Sequence, residues 1–464
     1  MLKSTQVKLN DIELNENIKS LLIDHLSEEI DFDDHLSQAQ KKALDMFKKG
    51  ESLCILGHGG VGKSFLIKKM ESWVQTNRPE ANMYLSATTG ISAYSIGGIT
   101  VHSLLGLGCG EMSIENLLRK VMKNYPIKNR ILSMDILVID EISMLSASLF
   151  EKIHKILKTV RKDNRLFGGV QVVLSGDFLQ LLPVFKKVYS NEYTSDSRLL
   201  IESNIFNAYF TKNNTITLDQ NFRQKEDKLF SDILKRVRIG KITKKDLSTL
   251  ENRLNVPVES SLVTIVSSNY KADSINKAKI KNIDSEEMFY KIKFTKTGNA
   301  ESCKLLQKEL QTQFESRGLC EIILKKGARV MLLKNLCTEI GLVNGAIGTV
   351  TNCEPGQVVV KFDNGIIHSI EPASWSLKLG DSEVSVIQIP LLLAYSITIH
   401  KCQSLTLEKA CLDLNDCFTD HMVYVALSRV KTLSGLYLKS FNHSKITVNR
   451  KMKNYLEELA KENS

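Results

Sequence analysis

An apolar run that breaks into glycines constrains this chain more than any other segment. Residues 53–65 read LCILGHGGVGKSF, and the part at 57–64 fits the pattern G-x-x-x-x-G-K-[ST]. That pattern requires a buried strand before the glycines and a helix after them, and the flanking sequence has both characters. In such a loop the backbone N–H groups surround phosphate oxygens. The segment therefore predicts an α/β fold that binds a nucleoside triphosphate.

The loop offers several groups to a triphosphate. Its glycines free the backbone to wrap around the phosphates, and they are Gly57, Gly59, Gly60 and Gly62. Lys63 can reach the β- and γ-phosphate oxygens, and the Ser64 hydroxyl can bind Mg²⁺. We therefore predict that ATP and Mg²⁺ share this loop.

Two later apolar runs end in residues suited to hydrolysis. The segment ILVIDEIS at 136–143 brings Asp140 and Glu141 to the end of a strand, where a parallel sheet presents its ligand site. Asp140 can hold Mg²⁺ through water, and Glu141 can polarise the attacking water. A third strand, VVLSGDFLQLLPV, carries Gln180, whose amide can hydrogen-bond both the γ-phosphate and the water. This set predicts ATP hydrolysis.

Two arginines lie far along the chain from the phosphate loop. They are Arg223 in LDQNFRQ and Arg429 in VALSRVK. An arginine held against the γ-phosphate stabilises the charge of the transition state. If both arginines come from a second sheet, hydrolysis depends on the closure of two sheets, which is the architecture of a motor.

Charge favours a polyanionic partner. The 464 residues carry a net charge of +10, yet residues 1–34 hold nine acids against three lysines. The rest of the chain is therefore more basic than the total, which favours nucleic acid, although many lysine-rich chains only have a well-solvated surface.

Composition excludes several classes of protein. No apolar run approaches the roughly 18 residues that a membrane span needs, so no membrane partner is expected. The N-terminus has no apolar segment typical of a targeting signal, which predicts an intracellular protein, cytoplasmic or nuclear. The nine cysteines form no C-x-x-C pair, which favours reduced thiols over a metal or disulfide framework.

The order of the motifs resembles one family. The chain is similar to the petite-integration-frequency (PIF-type) DNA helicases of superfamily one, group B, from Leu36 to about Leu438. The motifs that carry the resemblance are GHGGVGKS, ATTGISAYSIGGITVHS, DEISM, LSGDFLQLLPV, NFRQ, GLVNGAIGTV, SITIHKCQSLTLE and YVALSRVKTLSGL. The resemblance implies two RecA-like P-loop lobes, with parallel sheets covered by helices on both faces. It also implies a small wedge insertion in the first lobe and an SH3-like β-rich insertion in the second.

The pattern of apolar runs along the chain and the family resemblance together predict the domain ranges. Short apolar runs alternate with amphipathic segments, except at roughly 285–385, where β-branched runs are separated by glycine turns. The predicted ranges are 1–34 for an acidic leader, 35–205 for the first lobe with its insertion at about 103–130, 206–284 and 386–464 for the second lobe, and 285–385 for the β-rich insertion.

The resemblance also assigns residues. It implies that Gln40 in LSQAQ reads adenine and that Gln403 binds the nucleotide, although this chain has Cys402-Gln403-Ser404 where the family usually has Ser-Gln-Gly. The positions that match the family's DNA contacts are Thr88, His102, His400 and Lys401. For Thr88 and His102, local capping is an alternative interpretation.

The implied function is an ATP-dependent helicase that moves 5′ to 3′ on single-stranded DNA, as a monomer, and unwinds duplex or forked DNA in replication, repair or recombination. The direction of movement comes from the resemblance alone. Two alternatives stay open: an RNA-directed or non-unwinding translocase, and a nucleotide-switched binding module that hydrolyses slowly. Glu141 and the two arginines argue against the switch.

Overall fold

The computed structural model describes residues 36–463 with several gaps. The gaps are 90–91, 94–95, 109–111, 184–196, 221, 224–226, 255, 258–261, 316–317, 335, 338–339, 343–345, 380–381 and 404. The predicted acidic leader, 1–34, lies outside the described residues.

The first sheet has six strands, all paired in parallel, in the order β3-β2-β4-β5-β1-β6. Its strands are β1 Leu53–Gly57, β2 Met83–Ala87, β3 Ile99–Thr100, β4 Ile136–Asp140, β5 Gln171–Gly176 and β6 Thr215–Leu218. Every residue of β1, β4 and β5 is buried, as expected for parallel strands covered on both faces. The apolar runs predicted as strands are therefore strands of this sheet.

Helices cover the first sheet. They are α1 Gln38–Lys48, α2 Lys63–Asn77, α3 Val101–Leu105, α4 Ile114–Lys123, α5 Tyr125–Leu132, α6 Ala147–Arg161 and α7 Asn204–Tyr209. The first of them starts at a capping box, in which Ser37 accepts from the Gln40 backbone and Gln40 accepts from the Ser37 backbone. The short helices α3, α4 and α5 fill the range predicted for a small insertion.

The second sheet is also parallel, in the order β18-β7-β19-β20. Its strands are β7 Thr264–Val266, β18 Ser396–Thr398, β19 Ala410–Asp413 and β20 Leu436–Ser440. Its helices are α8 Lys228–Arg238, α9 Lys244–Glu251, α10 Asn269–Lys281 and α12 Met422–Leu427. A core separate from that of the first sheet holds these elements together, with Ile265, Leu412 and Val425 among its fully buried members.

An antiparallel β-rich region interrupts the second sheet. It contains a five-stranded sheet in the order β14-β13-β12-β11-β17, a three-stranded sheet β15-β16-β9 and a pair β10-β8. The elements are β8 Met288–Lys291, β9 Lys293–Thr297, α11 Ala300–Glu315, β10 Glu321–Leu324, β11 Arg329–Leu332, β12 Ile347–Glu354, β13 Gln357–Phe362, β14 Ile367–Ile370, β15 Ala373–Leu379, β16 Ser382–Gln388 and β17 Leu391–Leu393. The β13–β14 hairpin turns at residues 363–365, Asp-Asn-Gly, where Gly365 has a φ of +89°.

Two predicted lobe boundaries are wrong. Strand β6 pairs with β1, so the first sheet continues past the boundary predicted at residue 206. Residues 450–463 were expected in the second lobe, but helix α13, Arg450–Asn463, buries Met452 and Leu459 in the core of the first. Position along the chain places both segments with the second lobe, whereas burial of their apolar side chains decides where they pack.

The β-rich region also continues past its predicted end at residue 385, because β17 pairs with β11. Within the described residues, no helix combines the length and the apolar character that a membrane crossing requires.

Candidate active site

The phosphate loop runs from Gly57, the last residue of β1, to Lys63, the first residue of α2. Gly60 and Gly62 have φ angles of +89° and +82°, which side-chain-bearing residues rarely adopt. A Cβ at Gly62 would lie 2.7 Å from Gln40 Nε2. The loop therefore needs glycine at these positions, as its sequence pattern predicted.

Lys63 folds back over the loop. Its Nζ donates to the carbonyl oxygens of Gly57, at 2.7 Å, and His58, at 3.1 Å. Burial lowers the pKa of Lys63, and the nearby carboxylates of Glu141 and Asp177 oppose that shift. The amine thus lies inside the curve of the loop, where it can turn toward a phosphate.

A cavity of about 210 Å³ opens in front of the loop. The predicted residues that line it are Gly59, Gly60, Gly62, Lys63, Ser64, Asp140, Glu141, Gln180, Arg223 and Arg429. This volume is below the roughly 300 Å³ at which pockets for whole small-molecule ligands begin. The cavity therefore suits the phosphate end of a nucleotide.

The carboxylates of Asp140 and Glu141 enter this cavity from the end of β4. Burial, and then the charge of Glu141, raise the pKa of Asp140 to about 6. Asp140 Oδ1 is buried and has no hydrogen-bond partner among the described residues. Mg²⁺ commonly uses one or two protein oxygens together with phosphate and water, so Asp140 and the Ser64 hydroxyl fit such an ion.

Glu141 is held in a strained backbone conformation. Its φ of +55° lies in the left-handed region, which costs free energy for a residue with a side chain. Thr88 Oγ1 donates to the Glu141 carbonyl oxygen at 2.8 Å. Gln403 Nε2 donates to Glu141 Oε2 at 3.2 Å. Both the backbone and the carboxylate of Glu141 are therefore positioned by specific partners.

Two amides are buried close to this carboxylate. Gln180 lines the cavity, and its Oε1 has no hydrogen-bond partner among the described residues. The Oε1 of Gln403 is likewise buried without a partner in the described part of the chain. Buried amide oxygens without partners are costly, which points to a group that binds there.

Both arginines reach the phosphate loop. A Cβ at Gly59 would lie 3.2 Å from Arg223 Nη1 and 3.5 Å from Arg429 Nη2. Arg429 is 1% exposed and donates from Nε to the Val425 carbonyl oxygen at 2.8 Å. Burial, and then the charge of Arg429, lower the pKa of Arg223 to about 10. A buried guanidinium and a partly buried one, both against the phosphate loop, favour an anion between them.

The predicted adenine contact, Gln40, is buried beside the loop. Its Oε1 accepts from the Ser37 backbone N–H at 2.9 Å, and its Nε2 faces Gly62. Phe222, which sequence reasoning did not single out, also lies against Gly62, and its backbone N–H donates to the Gly60 carbonyl oxygen at 2.8 Å. In the sequence, only its position directly before Arg223 indicated that Phe222 lies near the site.

The predicted DNA contacts fall in separate places. His400 lines a groove of about 1170 Å³ that also contains Pro183, Thr398 and Phe418, and Lys401 follows it in the same turn. The Thr88 hydroxyl donates to the carbonyl oxygen of Glu141, which lies 53 positions later in the chain. His102 lies in α3, and burial lowers its pKa. Neither Thr88 nor His102 is among the described residues that line the groove.

Sequence reasoning missed an ion pair behind the loop. Asp177, which follows β5, pairs with Arg238 at the end of α8. Tyr424 of α12 is buried close to this pair, and burial raises its pKa to about 12. Arg238 and Tyr424 sit in ordinary amphipathic or apolar helix patterns, so nothing in the sequence marked them.

Models of two known families match the chain. A PIF1-like helicase family model matches residues 35–248, and a model of the 2B domain of the DNA helicase Pif1 matches residues 316–353. The ATP-dependent DNA helicase PIF1 of Candida albicans is 30% identical over 526 residues, which cover 92% of this chain and 56% of that relative. The chain thus spans less than two thirds of that relative's length.

Solved structures share the fold. The crystal structure of the Pif1 helicase from Candida albicans aligns with a TM-score of 0.80 and 31% identity, over 91% of this chain and 99% of that one. The Pif1 helicase from Bacteroides in complex with ADP-AlF3 and single-stranded DNA aligns with a TM-score of 0.73 and 27% identity, over 92% of this chain and 97% of that one.

Proposed function

The chain belongs to the PIF1-like helicase family, and we propose that it is an ATP-dependent DNA helicase. It moves 5′ to 3′ along single-stranded DNA and unwinds duplex or forked DNA in replication, repair or recombination. The direction follows from family membership and not from the geometry of any residue. The relatives named above are helicases, and one of the solved structures holds single-stranded DNA.

One observation carries the proposal. Lys63 and Glu141 from the first lobe share a cavity with Arg429 from the second. A site that only bound a nucleotide would not need a guanidinium from another lobe against its phosphate loop. The arrangement instead makes hydrolysis depend on how the two lobes sit, which is what a motor requires.

The residues divide the chemistry among themselves. Lys63 turns from its carbonyl partners to the β- and γ-phosphates, and the glycine loop donates backbone N–H groups to them. Glu141 accepts the proton of the attacking water, while Gln180 orients that water. Arg223 and Arg429 stabilise the charge that develops on the γ-phosphate. Ser64 and Asp140 would hold Mg²⁺, which would neutralise charge on the phosphates.

Binding of single-stranded DNA can be linked to ATP hydrolysis through Thr88. The Thr88 hydroxyl is bonded to the backbone of Glu141, and Thr88 itself stands at a position where the family contacts DNA. A DNA strand that contacts Thr88 is therefore connected to Glu141, the proposed base, through one hydrogen bond. His400 and Lys401 hold the strand from the other lobe, through phosphate and sugar contacts that carry no sequence information.

The test combines two assays. Steady-state ATP hydrolysis is measured alone, with single-stranded DNA and with single-stranded RNA. Unwinding is measured on duplexes with either a 5′ or a 3′ single-stranded tail. We expect strong stimulation by DNA and unwinding of the 5′-tailed duplex only. Hydrolysis that DNA does not stimulate would indicate a nucleotide switch, stronger stimulation by RNA would indicate an RNA translocase, and unwinding of the 3′-tailed duplex alone would overturn the direction.

A further inference from the structure

A buried ion pair connects the two lobes behind the phosphate loop. Arg238 Nη2 lies 2.6 Å from Asp177 Oδ1, and Arg238 Nε lies 3.1 Å from Asp177 Oδ2. The Asp177 side chain is fully buried, and that of Arg238 is 19% exposed. Asp177 follows β5 of the first sheet, whereas Arg238 is the last residue of α8 in the second lobe. The paired, planar geometry fixes orientation as well as distance.

Both members of this pair stay charged. Burial alone raises the pKa of Asp177, but Arg238 and then Lys63 outweigh burial and lower it to about 2. Burial lowers the pKa of Arg238, and Asp177 reverses that shift and raises it. Because a buried charge without its partner is strongly unfavourable, the pair favours the arrangement of the lobes in which both groups meet.

Asp177 also shapes the turn that carries Gln180. Its Oδ1, the atom bonded to Arg238 Nη2, accepts from the Leu179 backbone N–H at 3.0 Å. Its carbonyl oxygen accepts from the Gln180 backbone N–H at 3.0 Å. Any shift of the Asp177 carboxylate is therefore passed through two hydrogen bonds to the backbone of Gln180. The Gln180 side chain lines the phosphate cavity.

A second pair on the same helix provides a comparison. Arg236 contacts Asp246 with the same two-bond geometry, at 2.6 and 2.7 Å. Asp246 belongs to α9, so this pair lies within the second lobe, and neither member is among the described residues that line the cavity. The two pairs share chemistry and helix, and they differ in whether they cross between lobes.

We propose that Arg238 is a positioning residue that fixes the orientation of Gln180. By binding Asp177, Arg238 fixes the turn from Asp177 to Gln180 in the orientation in which the amide meets the γ-phosphate and the attacking water. It does so only when the second lobe is closed onto the first. The second lobe thus controls hydrolysis at a second point, separate from the arginines that line the cavity. This inference rests on the proposed hydrolytic function.

The test is a double-mutant cycle with Arg238→Lys and Gln180→Ala. The turnover of ATP and the affinity for a fluorescent ATP analogue are measured for each single variant, the double variant and the parent, all with single-stranded DNA present. Arg238→Lys keeps the charge and loses the two-bond geometry, so we expect turnover to fall about tenfold with affinity unchanged. In the Gln180→Ala background, Arg238→Lys should lower the turnover of ATP by less than about twofold.

Arg236→Lys is the matched control, and we expect it to leave turnover unchanged in both backgrounds. If Arg238→Lys lowered turnover equally with and without Gln180, the residue would be structural and the proposal would be wrong. A loss of affinity alone would contradict it in the same way. Thermal unfolding identifies any folding defect, and in that case Asp177→Asn replaces Arg238→Lys in the cycle, with the same expected dependence on Gln180.

Failure of the proposed function is seen separately. The parent protein is assayed for unwinding of the 5′-tailed duplex in the same experiment. A parent that hydrolyses ATP without unwinding would contradict the helicase function and leave the cycle interpretable. A parent without ATP hydrolysis would contradict both.

Discussion

Gln403 Nε2 donates to Glu141 Oε2 at 3.2 Å, although the two residues stand 262 positions apart in the chain. Glu141 directly follows β4 of the first lobe, and Gln403 follows β18 of the second. The proposed base is therefore held from the opposite lobe. A glutamine in this position can release the carboxylate toward water when the lobes move, without removing its charge.

The first prediction concerns Glu141. Glu141→Gln keeps the size and hydrogen bonding of the side chain but removes the proton acceptor. We expect turnover to fall by roughly 10²–10⁴ while ATP still binds. Single-turnover hydrolysis and equilibrium binding measure the two effects. Lys63→Ala provides the contrast, because it should weaken ATP binding as well. Hydrolysis at the parental rate by Glu141→Gln would refute the assignment of the base.

The second prediction concerns the arginines. Arg223→Ala and Arg429→Ala should each lower DNA-stimulated turnover by roughly 10³ or more, with near-normal affinity for ATP, because the guanidinium groups act mainly on transition-state charge. Arg253, which donates to the Leu436 and Ser434 carbonyl oxygens at the far side of the second lobe, offers a control in Arg253→Lys. Weaker ATP binding with intact turnover would mean that the two arginines are only binding contacts.

The third prediction concerns Asp140 and pH. Its pKa is raised from 3.8 to about 6, so the stability associated with its neutral form is complete below pH 4 and is lost as pH rises through about 6. Asp140→Asn should therefore raise the free energy of unfolding at pH 8, by on the order of 1–3 kcal/mol in the absence of Mg²⁺.

Urea denaturation at several pH values measures this gain, which should shrink below pH 6 and vanish toward pH 4. Addition of Mg²⁺ should stabilise the parent at pH 8 and leave Asp140→Asn unaffected. An equal gain at pH 8 and pH 5 would contradict the shifted pKa.

The fourth prediction concerns Thr88. Thr88→Val removes the hydroxyl that donates to the Glu141 carbonyl oxygen and keeps the shape of the side chain. We expect stimulation of ATP hydrolysis by single-stranded DNA to fall about tenfold, with a smaller change in the rate without DNA. The control is Thr89→Val, since the Thr89 hydroxyl contacts only the nearby Ser92 in the described structure. Equal behaviour of the two variants would remove the proposed link.

Several motif residues could be predicted because each lies at the end of a recognisable strand or in the segment directly after it. The carboxyl ends of parallel strands meet at one edge of a sheet, so Lys63, Asp140 and Gln180 converge on a single cavity. Local sequence also marked the β-rich region by its glycine turns. Arg238 could not be found in this way, because its role depends on which face of α8 meets a residue 61 positions earlier.

The wrong boundaries have the same physical origin. Strand β6 is short, and its choice of neighbour is decided by β1, which lies far earlier in the chain. Helix α13 is amphipathic and could have packed on either lobe. Its Tyr455 ring lies 5.6 Å from that of Phe178, and this first-lobe contact is not encoded near either residue in sequence.

The return of α13 to the first lobe restricts how the two lobes can move relative to each other. The chain crosses from the first lobe to the second after β6 and crosses back before Arg450, and Lys453 of α13 also donates to the Ile239 carbonyl oxygen beside α8. Two domains joined by a single linker can rotate about several axes. Two separate chain crossings restrict the rotation mainly to the axis that passes through both crossings. In the proposed motor, the path of the chain would therefore give the two lobes a preferred axis of opening.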